Sequence, residues 1–158
     1  MTRYSPPRSF ACVLICATLA AALAGCAAPV SAPPSLYDRL GGEARLAAVV
    51  SKLVERAAAD PRTRRSFDGV KLATLKKSIV QQICSLAGGG CPYEGETMRD
   101  AHRDLRIAAS EFDALVGLLR DELDRAGVDG GAKNELLRLL APMKRDIVAA
   151  ASRQARHA

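Results

Sequence analysis

The chain has 158 residues, the size of one domain, with 49% apolar and 25% charged side chains, three Phe, three Tyr and no Trp. That balance excludes disorder over most of the chain and a polytopic membrane protein, and an excess of Ala and Leu over β-branched and aromatic residues argues against an all-β fold. The 23 Lys and Arg exceed the 17 Asp and Glu only mildly.

Residues 1–25 read as an export signal. Arg3 and Arg8 precede an uncharged run from Ser9 to Cys26 that holds Val13, Leu14, Ile15, Leu19 and Leu23, the n-region and h-region of a signal peptide. The other reading, a membrane-spanning helix, needs about 20 apolar residues, and small residues dilute the second half of this run. The run ends in Leu23-Ala24-Gly25-Cys26, which resembles the lipobox of bacterial lipoproteins. The resemblance implies cleavage before Cys26, a lipidated thiol, an amino group that is commonly acylated too, and hence a firm membrane anchor. The protein is then exported and held on the periplasmic side, with inner and outer membrane both open.

Removing residues 1–25 leaves 133 residues with 21 basic and 17 acidic side chains, a net charge of +4. Nucleic-acid binding needs a clustered basic face and access to nucleic acid, and an exported protein lacks the second. Arg62, Arg64 and Arg65 read as a solvated corner. Cys12 and Cys16 leave with the signal and Cys26 is lipidated, so Cys84 and Cys91 remain as an even pair, expected to bridge in an oxidising compartment. Closing so short a loop is worth about 2–3 kcal/mol in the chain-entropy model. A metal site is the alternative, but two thiolates with no His nearby supply too few ligands for structural zinc.

Residues 26–35 hold three prolines without periodicity, a lipidated cysteine followed by an extended tether. The folded domain is expected over 36–152. Leu36 to Leu40 forms a short helix that Gly41-Gly42 stops. A second runs from about Glu43 to Asp60, with Leu46, Val50, Leu53 and Ala57 on one face, and Pro61 ends it. A third aligns Leu72, Leu75, Ile79 and Ile83 and ends at Gly88 to Gly90. Residues 91–107 read as loop with a short helix around Met98 to His102. Ser110, with Asp113 three residues on, reads as the cap of a helix that carries Phe112, Leu115, Val116, Leu119 and Leu123 and stops near Gly127. A last helix from about Gly131 to Ser152 carries Leu136, Leu140, Met143 and Ile147, kinked or interrupted at Pro142, and residues 153–158 form a frayed basic tail. About four main helices result, an all-α domain whose long middle segment is more than a minimal connection.

Only two histidines occur and His157 lies in the tail, so His102 is the imidazole available to chemistry. A lone histidine is ordinarily a surface or satisfied core residue. Met98 lies four residues earlier on the same helical face and Ile107 and Phe112 follow, apolar company that could clasp a flat hydrophobic cofactor.

From Ser35 to about residue 150 the chain resembles the group I truncated haemoglobins. The matching residues are Ser35-Leu36-Tyr37-Asp38-Arg39-Leu40-Gly41-Gly42, Ala59-Asp60-Pro61-Arg62 with Phe67, Gly88-Gly89-Gly90-Cys91-Pro92-Tyr93-Glu94-Gly95, and Met98-Arg99-Asp100-Ala101-His102. Ile107, Phe112-Asp113-Ala114-Leu115-Val116 and Leu140-Ala141-Pro142-Met143-Lys144-Arg145-Asp146-Ile147-Val148 follow in the same order. The resemblance implies a two-over-two helical sandwich that holds haem b. His102 matches the proximal ligand to iron, Phe67 a residue packed on the porphyrin, and Met98, Ile107 and Phe112 the proximal lining. The Cys84 and Cys91 pair is similar to one in a subset of relatives. On the distal side, Val54 stands where a tyrosine is common, and Leu75, Ser78 and Ile79 stand at positions that are often polar; Ile83 continues that face. Gln82 is the nearest neutral donor.

The resemblance implies binding of oxygen, carbon monoxide or nitric oxide at a His-ligated iron in an apolar pocket. A second reading is a nitric oxide dioxygenase or peroxidase-like haem enzyme, which needs an electron donor the sequence does not identify. A third is a helical lipoprotein without haem, which has no reason to keep His102, Met98 and Phe67 together.

Overall fold

The computed structural model describes residues 32–154, with side chains through Val148. The export signal, Cys26, most of the tether and residues 155–158 lie outside the described residues. The chain divides into Met1–Pro33 and Pro34–Ala158, and the second unit carries every element below. These are α1 (Leu36–Arg39), α2 (Gly42–Ala59), a 3₁₀ turn (Arg64–Phe67), α3 (Leu72–Leu86), α4 (Met98–Ala101), α5 (Ala109–Arg125), α6 (Gly130–Leu140) and α7 (Met143–Gln154), with no strand among the described residues.

Local chemistry sets each boundary. Ser35 caps α1, its hydroxyl accepting from the Asp38 amide at 3.1 Å while the Asp38 carboxylate accepts from the Ser35 amide at 3.1 Å. Gly41 then takes a φ of +94°, a left-handed turn that an L side chain resists, and α2 starts at once. Helix α2 turns Leu46, Val49, Val50, Leu53, Val54 and Ala57 inward, the period expected from its sequence. Beyond its end, the buried Thr63 hydroxyl donates to the Ala57 carbonyl at 2.7 Å and brings the chain into the 3₁₀ turn.

Helices α2 and α3 form one layer, and α5 with α6 and α7 the other, the two-over-two arrangement; α2 packs on both α3 and α5, and α4 packs on α7. Leu40, Leu46, Val50, Leu123, Ala132 and Leu136 fill the shared core, all at most 1% exposed. Burying each leucine contributes about 1.5–3 kcal/mol, which holds short helices that would not persist alone.

The structure differs from the sequence expectation at the start of α5. The cap of α5 is Ala108, not Ser110: the Glu111 carboxylate reaches back to the Ala108 amide at 2.7 Å, and Ser110 sits inside the first turn. The last helix is interrupted at Ala141-Pro142, as expected, where proline has no amide to continue the ladder; α6 and α7 counted apart give five helices of eleven or more residues among the described residues. Arg62, Arg64 and Arg65 are exposed, as expected of a solvated corner, and two of them are also paired, Arg62 to Asp60 and Arg65 to Glu111.

Candidate functional site

Thr97 starts α4 by accepting the Asp100 amide at 3.2 Å on its hydroxyl, and the helix lasts one turn. His102 follows as its C-cap, half-buried, with Nδ1 2.7 Å from the Met98 carbonyl oxygen. A carbonyl only accepts, so Nδ1 carries a proton, and in the neutral ring Nε2 carries the free lone pair. In metal-binding histidines a bond of this kind, from the nitrogen that does not bind the metal, fixes the tautomer.

A set of apolar side chains lies between the core and the surface, and Phe67, Leu72, Leu75, Ile79, Leu115 and Leu140 of this set pack against the core. Phe67, Leu72, Leu75, Ile79, Met98, Ile107, Phe112, Leu115, Leu140 and Met143 are apolar yet only half-buried, and they lie on the 3₁₀ turn, α3, α4, the loop after it, α5, α6 and α7. Gln82 draws α3, α4 and α7 together there, its amide nitrogen 3.4 Å from Met98 Sδ and 3.7 Å from Met143 Sδ. Thioethers are weak acceptors, so this amide is poorly matched. Of the expected lining, Phe67, Leu75, Ile79, Met98, Ile107 and Phe112 belong to this margin. Val54 and Ile83 lie deeper, 1% and 2% exposed, within the closed core behind it.

Electrostatics organise the rim. Lys144 on α7 donates to Asp113 at 2.6 Å and stands 5.8 Å from the centroid of the Phe112 ring. Arg99 on α4 pairs with Asp146 on α7 at 2.7 Å. Thr97 first, and then Arg103, hold the Asp100 carboxyl below the usual carboxylate range. Before α4, a disulfide joins Cys84 to Cys91 with Cα atoms 5.7 Å apart. Gly89 must be glycine: a Cβ would stand 2.6 Å from Cys84 Sγ and 2.7 Å from the Tyr37 ring.

A half-buried apolar margin with one lone imidazole suits a particular cofactor. Among the described residues no group of three or more His, Cys, Asp or Glu could hold a bare metal ion, so a metal on His102 must bring its other ligands with it. Haem iron does so, and the surrounding side chains match its flat apolar faces. The residues fit the group.

Residues 35–149 match the family model described as Bacterial-like globin. A group 1 truncated haemoglobin of Mycolicibacterium paratuberculosis is 34% identical over 115 residues, which span 73% of this chain and 85% of that protein. The chain belongs to the group I truncated globins.

Solved structures carry the same likeness. The 2/2 haemoglobin of Synechococcus sp. PCC 7002, described in its cyanomet state with covalently attached haem, superposes with a TM-score of 0.70 at 27% identity, covering 73% of this chain and 99% of that one. The Fe(III) form of the Tetrahymena pyriformis truncated haemoglobin gives 0.69 at 26% identity, covering 73% and 98%. This truncated globin is therefore a haem-binding, all-α protein.

Two parts of the site escaped sequence reasoning. One is Gln82's approach to Met143, which sits past the Pro142 break. The other is the Arg65 and Glu111 pair, whose only sequence signal is an acid three residues after Ala108.

Proposed function

We propose that this globin is exported, anchored by lipid at Cys26, and binds oxygen, carbon monoxide and nitric oxide at a haem iron held by Nε2 of His102. The observation that carries the ligand assignment is the bond from Nδ1 to the Met98 carbonyl, which leaves Nε2 as the lone-pair nitrogen. Bound haem supplies an iron with a position open to a gas. Phe67, Met98, Ile107 and Phe112 would flank it, Leu75 and Ile79 would exclude water on the gas side, and Val54 and Ile83 would back them.

An apolar gas side favours ligands that need no hydrogen-bond donor, carbon monoxide and nitric oxide among them. Retention of oxygen benefits from a donor, and lacking one costs on the order of 1–3 kcal/mol, about 10- to 100-fold. Gln82 is the nearest neutral donor, its amide met only by sulfur. Nitric oxide dioxygenation or peroxidase-like turnover needs an electron donor and a proton-transfer group beside the ligand, and Leu75 and Ile79 supply no such group.

Export and anchoring rest on Arg3, Arg8, the apolar run and Leu23-Ala24-Gly25-Cys26. Absorption spectra of the purified protein, oxidised, reduced, and reduced under carbon monoxide, test the site. An intense Soret band that moves with carbon monoxide is expected; a band indifferent to the gas contradicts an open position. Replacing Cys26 by Ser is expected to free the protein from membranes, and persistent association of that variant contradicts the lipid anchor.

A further inference from the structure

In the loop between His102 and α5, the Arg103 amide donates to the Asp100 carbonyl at 3.3 Å and the Leu105 amide to the His102 carbonyl at 3.2 Å. The loop carries Ile107, and at Arg106 the backbone takes a φ of +49°, the one positive value at a non-glycine among the described residues. An L residue persists there only when its surroundings hold it. What holds it comes from across the fold. Arg65, in the 3₁₀ turn, donates to the Leu105 carbonyl at 3.2 Å and the Arg106 carbonyl at 3.1 Å, and to both oxygens of Glu111 at 2.9 and 2.7 Å.

Glu111 completes the junction. Its side chain is only 13% exposed, and it also accepts from Ser66 Oγ at 3.1 Å and from the Ala108 amide at 2.7 Å. Burial pushes its carboxyl up, but the bonds from Ala108, Arg65 and Ser66 outweigh this and hold it below the usual carboxylate range. A planar guanidinium is the side chain able to span two successive carbonyls and a carboxylate together, which an ammonium cannot do in one geometry.

We propose that Arg65 and Glu111 are positioning residues for the haem site, a latch that ties the loop after His102 to the turn holding Phe67 and so sets the orientation of the axial imidazole and the retention of haem. Neither residue belongs to the apolar margin itself; Arg65 acts through the backbone of Leu105 and Arg106. The latch rests on the assignment of His102 as the iron ligand, and the test separates the two.

The test uses haem-loaded protein as wild type, Arg65→Met, Glu111→Gln and the double variant. Two quantities are read: the rate of haem transfer to excess apomyoglobin, and the iron–histidine stretching band in the resonance Raman spectrum of the ferrous form. Arg65→Met is expected to speed haem loss about tenfold or more and to shift or broaden the band, since charge-assisted bonds are lost. Glu111→Gln keeps an acceptor for the Ala108 amide and moves both in the same direction by less, and the double variant goes no further than Arg65→Met because the bonds form one unit. A lowered Tm with band and haem loss unchanged overturns the latch, leaving only a structural ion pair. Should Arg65→Met fail to fold, the band of Glu111→Gln decides. A wild type without the band refutes His102 as ligand, whereas a wild-type band that neither variant moves refutes the latch alone.

Discussion

The Nδ1 of His102 lies 2.7 Å from the carbonyl oxygen of Met98, one helical turn earlier. The bond would make the imidazole a one-sided ligand in the proposed site, its Nδ1 proton committed to the backbone and Nε2 left for a metal. It is only as firm as α4, four residues held at their start by Thr97. Thr97→Ala removes that cap at a cost of about 1 kcal/mol. Haem transfer to apomyoglobin is then expected to speed up about fivefold, with the protein otherwise folded.

For the proposed gas side the burial of Val54 matters. A tyrosine there must enter a site only 1% exposed, and overpacking costs about 1–3 kcal/mol. Ile79 stands half-buried in the margin and is the easier place to add a donor. Ile79→Gln is expected to slow oxygen dissociation about tenfold if ~1.4 kcal/mol is recovered. Carbon monoxide dissociation changes much less. Stopped-flow release of both gases checks this, and slow oxygen release already in the wild type points to Gln82 as an acting donor.

The disulfide closes the loop that leads to α4. Replacing Cys84 and Cys91 together by Ala is expected to cost about 2–3 kcal/mol. This lowers the Tm by roughly 10 °C. Thermal melts of wild type with and without a reductant provide the matched control, because reduction leaves the buried Cys84 side chain in place.

Glu55 has a depressed pKa, from 4.5 to about 2, chiefly through Lys76 on α3, then Ser51 and Lys52. A folded value below the unfolded one stabilises the protein above the unfolded pKa, and that contribution is lost as pH falls through the folded value. The stability difference between wild type and Glu55→Gln is therefore expected to be full at neutral pH and to vanish between pH 4.5 and about 2. The group is exposed, so added salt shrinks the difference throughout. Urea titrations across that range measure it.

Much of the architecture is written in local pattern. The run Leu46, Val50, Leu53, Ala57 ending at Pro61 specifies α2, and the Gly88 to Gly90 stretch marks the end of α3, because period and backbone freedom act over a few residues. Partners distant in sequence leave no such mark. Arg65 meets Glu111 across 46 positions, so the sequence shows an exposed arginine cluster but not the carboxylate that the fold brings to it. Ser110 looks like a cap because hydroxyls favour that role, but the Glu111 carboxylate serves the free amide from one turn ahead. In the site, His102 is legible as the only histidine of the domain, whereas its tautomer depends on a backbone carbonyl, which every residue has. Ile83 shares a helical period with the half-buried Leu72, Leu75 and Ile79, and only packing separates the enclosed position from the open margin.

The central claim is that Nε2 of His102 holds the iron. Its most direct test is the ferrous spectrum of His102→Gly, which opens a space the size of an imidazole, recorded with and without added imidazole. The expected result is loss of stoichiometric haem and of the iron–histidine band, both returning when imidazole is supplied. A variant that keeps haem and the wild-type spectrum without imidazole contradicts the claim, since another side chain must then be the ligand.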